Sequence, residues 1–153
     1  MAAMTTTRSP IHVPVKQFSI FADNKVGRLH DMVKVMTERD IAILGFCTVD
    51  TTDSAIIRLV VNYWERAKAA FTELGMTYTL NDVLAVELPG EHQLHRITTA
   101  LQQAEVNIHY AYPLMVQPRS WGVLILRLED HDLATEVLQT TGLRLFDQND
   151  LAR

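Results

Sequence analysis

The sequence predicts an α+β fold made of two βαββαβ units in tandem, sharing one antiparallel sheet with helices on one face. Three observations carry this prediction. Stretches in which apolar residues alternate lie between stretches in which they recur every three to four residues, the signatures of half-buried strands and amphipathic helices. Their order is strand, helix, strand, strand, helix, strand. That order then runs a second time in nearly constant register.

Residues 16–22 put Phe18 and Ile20 on one face and Gln17, Ser19 and Phe21 on the other, a half-buried strand. The turn-rich residues 23–28 follow. Leu29, Met32, Val33 and Met36 then form one helical stripe, with Arg28, His30, Asp31, Lys34 and Glu38 mostly off it. Residues 41–49 and 55–61 read as strands joined by the turn at 50–53. Trp64, Ala67, Phe71 and Leu74 mark a second helix, stopped by Gly75, and residues 76–80 are short and β-prone.

In the second half, residues 83–88 form a strand closed by Pro89 and Gly90, and Leu94, Ile97, Leu101 and Ala104 form a helical stripe. Residues 106–116 and 121–128 are strands around a turn at 117–120. Ala134, Val137 and Leu138 mark the last helix, Gly142 its stop, and residues 143–146 the last strand. Leu29 and Leu94 stand 65 apart, as do Ile41 and Val106, while Ala67 and Ala134, like Gly75 and Gly142, stand 67 apart. A duplication explains this register. Each half is ferredoxin-like and too small to be very stable alone, so the halves are expected to share an interface. Residues 1–14 are an N-terminal extension, 15–80 the first unit and 81–153 the second, with Asn81 and Asp82 as the only punctuation between units.

Composition narrows the function. The chain has 153 residues, 48% of them hydrophobic, and a net charge of −4, which excludes an intrinsically disordered protein. The acidic balance argues against nucleic acid as a partner, and an RNA-binding module of the same fold order would need aromatics on the central strand 55–61, which has none. No apolar run reaches the roughly 20 residues of a membrane-spanning helix, and the first 14 residues lack an apolar signal core, so no membrane association is expected. The single cysteine, Cys47, fits a reducing, cytoplasmic setting.

The stretch Phe18-Ser-Ile-Phe-Ala-Asp-Asn-Lys-Val-Gly-Arg-Leu29, within a tandem of βαββαβ units, resembles the ACT-domain family of amino-acid-binding regulatory modules. Asp23, Asn24, Gly27 and Leu29 fit the family pattern, and Val26 stands where proline is commonest. Pro89 and Gly90 match in the second half, but Glu91, His92 and Gln93 precede Leu94 where a glycine is expected. More specifically, the chain resembles stand-alone tandem-ACT proteins without a catalytic domain. The resemblance implies a non-catalytic sensor of amino-acid metabolism that takes a free amino acid as ligand and regulates some enzyme; no cofactor is expected.

The loop supports that implication on its own chemistry. Gly27 admits positive φ and close approach of a ligand to the backbone. The amides at the start of the helix attract a carboxylate, and Asp23 or Asn24 can accept hydrogen bonds from an ammonium. The same polar residues also suit plain helix capping. The ligand-binding residues are therefore expected to be Asp23, Asn24, Lys25, Val26, Gly27, Arg28 and Leu29, at the junction between halves. A second, weaker loop comprises Pro89, Gly90, Glu91, His92, Gln93 and Leu94, with Glu91 repelling a carboxylate.

Other residues point to less. His92 and His95 share a helix face near Glu91, but no metal-binding motif surrounds them and no metal is expected. Cys47 reads as a buried thiol, and Glu87 as a lone carboxylate among apolar neighbours. Tyr110 and Tyr112 share a sheet face and are expected to pack. Arg58 and Arg127 occupy matching places facing away from the helices, toward solvent or a partner subunit. With Phe21, Tyr110 and Tyr112, that face is apolar enough to predict a covering homodimer. No catalytic residue is expected. The alternatives are a small enzyme on a ferredoxin-like fold and a purely structural regulatory subunit acting by protein–protein contact.

Overall fold

The computed structural model describes residues 13–23 and 26–152. The first unit comprises β1 (Val15–Asp23), α1 (Arg28–Glu38), β2 (Ile43–Asp50), β3 (Ser54–Val61) and α2 (Trp64–Glu73). Strand β4 (Thr77–Leu88) passes into the second unit, which adds α3 (Gln93–Gln103), β5 (Ile108–Pro113), β6 (Gly122–Leu128), α4 (His131–Thr140), β7 (Leu145–Phe146) and α5 (Gln148–Leu151). The strands form one antiparallel, seven-stranded sheet in the order β2-β3-β1-β4-β6-β5, with β7 on the edge of β4 opposite β6.

The predicted punctuation at Asn81 and Asp82 is absent. Residues 77–83 of β4 pair with β1, and residues 84–88 pair with β6, so the boundary between units falls inside an unbroken strand. The two polar residues are accommodated in the ladder: Asn81 lies opposite Gln17 and Asp82 opposite Lys16, whose Nζ is 2.6 Å from the Asp82 carboxylate. Lys16 and Asp82 are also equivalent positions of the repeat. A pseudo-twofold axis therefore runs between them.

The alternation read from the sequence sets the layers. Phe18, Ile20, Ile57 and Leu59 pack under α1 and α2 with Met32, Met36, Ala67 and Phe71. Leu84, Val86, Leu126 and Leu128 pack in the same way under α3 and α4 with Ile97, Leu101, Ala134 and Leu138. All four long helices thus cover one face of the sheet.

The other face is covered from within the chain. The sheet curls until its inner faces meet, burying Val15, Leu44, Val60, Val83, Ala85, Tyr112, Leu114, Val123, Ile125 and Phe146 in a third core. The edges almost close: Met115 N donates to Leu44 O at 2.8 Å, and a Cβ on Gly45 would lie 2.7 Å from Leu114 Cδ2 and 3.3 Å from its Cα. Any larger residue there would have to push Leu114 aside. Gln17, fully buried, donates to Tyr110 Oη at 2.5 Å and accepts from Tyr112 Oη at 2.6 Å, so its burial is compensated.

These contacts correct the arginine assignments. The Arg58 guanidinium lies 3.8 Å over the Tyr110 ring, and Arg127 donates to the Asp82 carbonyl at 3.2 Å; both belong to the chain's own interior contacts. Tyr110 and Tyr112 stack at 6.5 Å, as packing residues. The apolar face from which a homodimer was predicted is already buried, Phe21 at its end remaining exposed.

One element escaped the sequence reading. The last strand is only Leu145–Phe146, because Asp147 turns the chain into α5: Asp150 N donates to Asp147 Oδ1 at 2.8 Å and Asp147 N to Asp150 Oδ2 at 2.9 Å. Buried Gln148 then ties this end to the first unit, donating to Val61 O at 3.1 Å and accepting from Lys16 N at 3.0 Å. No helix among the described residues is long and apolar enough to cross a membrane.

Candidate ligand-binding site

At the end of β1, the chain must turn sharply to lay α1 on the sheet. Gly27 provides the turn with φ 90° and ψ −1°, a left-handed conformation that side chains resist. Its carbonyl accepts from Asp31 N at 2.9 Å, closing the first helical turn, and no side chain caps that turn among the described residues. The helix therefore opens with backbone amides and a positive dipole end.

Asp23 and Arg28 flank this opening. Arg28 Nε donates to Asp23 Oδ1 at 2.5 Å, and Arg28 Nη1 lies 4.0 Å from Asp31. The Asp23 hydrogen bond and then its charge hold the Arg28 guanidinium above its ordinary pKa. Both side chains are over 40% exposed, so the pair adds little stability but keeps one cation and one anion side by side at a helix start. Leu29 anchors the helix by packing on the first core, while Val26 projects into solvent. Asn24 and Lys25 lie outside the described residues.

The second loop is built differently. Gly90, with φ 118°, stands four residues before Leu94, whereas Gly27 stands two before Leu29. The position before α3 is His92, in ordinary backbone conformation and without a side-chain cap. Gln93 accepts from Arg96 at 2.7 Å, and Arg96 also donates to Thr141 O at 2.5 Å, so the nearest cation is spent on the fold. Pro89, Gly90, Glu91 and His92 are exposed, and Leu94 is half exposed. Among the described residues no group of three His, Cys, Asp or Glu side chains comes together to hold a metal.

The two loops are not brought together, and neither lies at the junction between halves. Phe21 pairs with Thr77 at the start of β4, and the second loop follows Leu88 at its end, roughly 35 Å away along the strand at about 3.3 Å per residue. The junction at Lys16 and Asp82 lies at the other end of β1 from Asp23. The pseudo-twofold axis requires this: it sends equivalent loops to opposite ends.

Sequence reasoning also missed a cleft of about 450 Å³ between Leu44, the segment 116–119, Arg144, Phe146, Asp150 and Leu151. Its lining is gathered from three distant stretches, and α5 supplies two of its walls. No spacing in the sequence announces it.

A duplicated βαββαβ chain with one shared sheet, and a glycine-opened helix after its first strand, is a paired small-module protein. The chain belongs to the ACT domain pair family, whose model matches residues 13–153. Its fold is similar to that of protein BT0572 from Bacteroides thetaiotaomicron, with 25% identity and a TM-score of 0.83 over 93% of this chain and 98% of that one. It is also similar to the regulatory subunit of aspartate kinase from Thermus thermophilus, at 15% identity and TM-score 0.58 over 84% and 92% of the two chains. The corresponding subunit from Thermus flavus gives 14% identity and TM-score 0.54 over 86% and 94%. Among curated proteins none matches the chain in sequence.

Proposed function

We propose that this chain is a non-catalytic regulatory module that binds a free amino acid at the loop from Asp23 to Leu29. The observation that carries the proposal is the α1 opening: a first turn behind Gly27 that no side chain among the described residues caps, beside the Asp23–Arg28 pair. Amides and the Arg28 guanidinium suit a carboxylate, and Asp23 suits the ammonium of the same molecule. Membership of a family of amino-acid-binding modules supports the ligand class, and the fold shared with kinase regulatory subunits supports control of an enzyme of amino-acid metabolism.

Calorimetric titration with the 20 amino acids tests the proposal. Gly27→Val is the informative variant, because a Cβ at Gly27 meets nothing within 4 Å and the fold tolerates it sterically, yet a β-branched residue resists φ 90° and blocks the backbone amides. It is expected to abolish binding at this loop for a stability cost of about 1–2 kcal/mol. A variant that binds like the unmodified protein excludes the loop as the site.

A further inference from the structure

We infer that the cleft between Leu44, residues 116–119 and α5 is a second ligand site, and that it takes an α-amino acid with an apolar side chain. The ligand class rests on the function proposed above; the location does not. The cleft's volume of about 450 Å³ falls in the usual range for small-molecule sites. Leu44, Phe146 and Leu151 are buried members of the inner core and give it an apolar floor. Arg119 and Arg144 bring two cations, and Asp150 one carboxylate. The arrangement matches a zwitterion with a greasy tail, each part meeting its complement.

A second observation lies one ladder pair from the cleft, behind its lining residue Arg144. Glu87 is 8% exposed, and its Oε2 is sealed from solvent with no hydrogen-bond partner among the described residues. Its backbone N donates to Arg144 O at 2.9 Å, extending the β4–β7 ladder so that Glu87 stands opposite Arg144. Opposite residues in such a ladder hold their Cβ atoms about 4.5–5.5 Å apart on one face. No Glu87–Arg144 ion pair forms, and the Arg144 guanidinium instead lies 5.2 Å over the Phe146 ring. A buried carboxylate oxygen without a hydrogen-bond partner is unfavourable for the fold itself. Glu87 is not itself among the residues that line the cleft; it stands behind Arg144, where it would meet an ammonium that enters past that side chain, with Arg144 and Arg119 receiving the carboxylate.

The site is distinct from the α1 loop. Leu44 lies on β2 next to Gly45, which is level through Val60 of β3 with Gln17 near the start of β1, and Asp23 is six residues further along β1.

The test is calorimetry with free leucine and phenylalanine on the full chain and on Arg144→Ala, Glu87→Gln and Gly27→Val, with a melting temperature for each variant. Arg144→Ala and Glu87→Gln are expected to weaken cleft binding by about tenfold or more, the effect of losing a charged hydrogen-bond partner. Glu87→Gln should do so while melting no lower than the unmodified chain, since the side chain keeps its shape and Oε2 gives up no hydrogen bond. Two sites per chain, one lost in Arg144→Ala and the other in Gly27→Val, bears out both assignments. Binding that is lost in Gly27→Val but indifferent to Arg144→Ala and Glu87→Gln overturns the cleft and leaves the loop. The reverse pattern overturns the loop and leaves the cleft. A marked drop in melting temperature for Glu87→Gln shows a structural partner for Glu87 and overturns its role here. No binding of either amino acid below millimolar overturns the cleft site.

Discussion

The helices α1 and α3 occupy equivalent places in the two units, pack equivalent stripes on the sheet, and open differently. At α1 a left-handed Gly27 leaves the first turn to its amides, beside a cation and an anion at the surface. At α3 the glycine has moved upstream, an acidic residue precedes the helix, and the neighbouring arginine is tied to Gln93 and Thr141. The framework residues are nearly interchangeable and the loop residues are not. Duplication explains the first fact. The second is the pattern expected when one copy of an ancestral loop keeps a ligand and the other serves only the fold.

The core should therefore respond symmetrically. Leu59 and Leu128 are equivalent, on β3 and β6, and 0% and 2% exposed. Leu59→Ala and Leu128→Ala should each cost about 2–5 kcal/mol, and nearly the same amount, in urea unfolding. A difference larger than the smaller of the two effects would break the equivalence.

The helix starts after β3 and β6 should respond asymmetrically. Asp130 caps α4, accepting from Leu133 N at 3.0 Å, while its counterpart Tyr63 makes no side-chain cap although its backbone, φ −119° and ψ 81°, is close to that of Asp130 at −125° and 97°. Asp130→Ala should cost about 1 kcal/mol, and Tyr63→Asp should stabilise by somewhat less, since it forfeits the Arg66–Tyr63 stacking. Thermal melts of the two variants read both signs.

A smaller asymmetry concerns pH. α4 starts with His131 where α2 starts with Trp64. Burial lowers the His131 pKa below its ordinary 6.5, against the opposing pull of Asp82 and Asp132 and with help from Arg127 and Lys16. The unfolded chain then takes up a proton that the folded chain resists. His131's contribution to stability is present above pH 6.5 and is lost as the pH falls below it. Stability measured from pH 7 down to pH 5 should decline less in His131→Gln than in the unmodified protein.

Much of this was legible in the sequence. Alternation and helical stripes located the elements, and the repeat register located the two cores, because one-sided burial writes itself into local periods. The curl of the sheet was not legible. Gly45 meeting Leu114, and Gln17 meeting Tyr110 and Tyr112, join residues 69 to 95 positions apart, and an apolar inner face looks the same whether a partner or the chain itself covers it. Continuity through Asn81 and Asp82 was hidden because these turn-prone residues are held by strand partners and the Lys16 ion pair. The loop residues stood out through Gly27, but their distance from the second loop followed only from the ladder register.

The central claim, that the first loop and not the second binds an amino acid, is tested most directly by amide chemical shifts in a nuclear magnetic resonance titration with the amino acid that calorimetry selects. Saturable shifts are expected at the amides of Gly27, Arg28 and Leu29 and none at Gly90, Glu91 and Gln93. Shifts confined to the second loop, or no shifts in either loop at millimolar ligand, would contradict it.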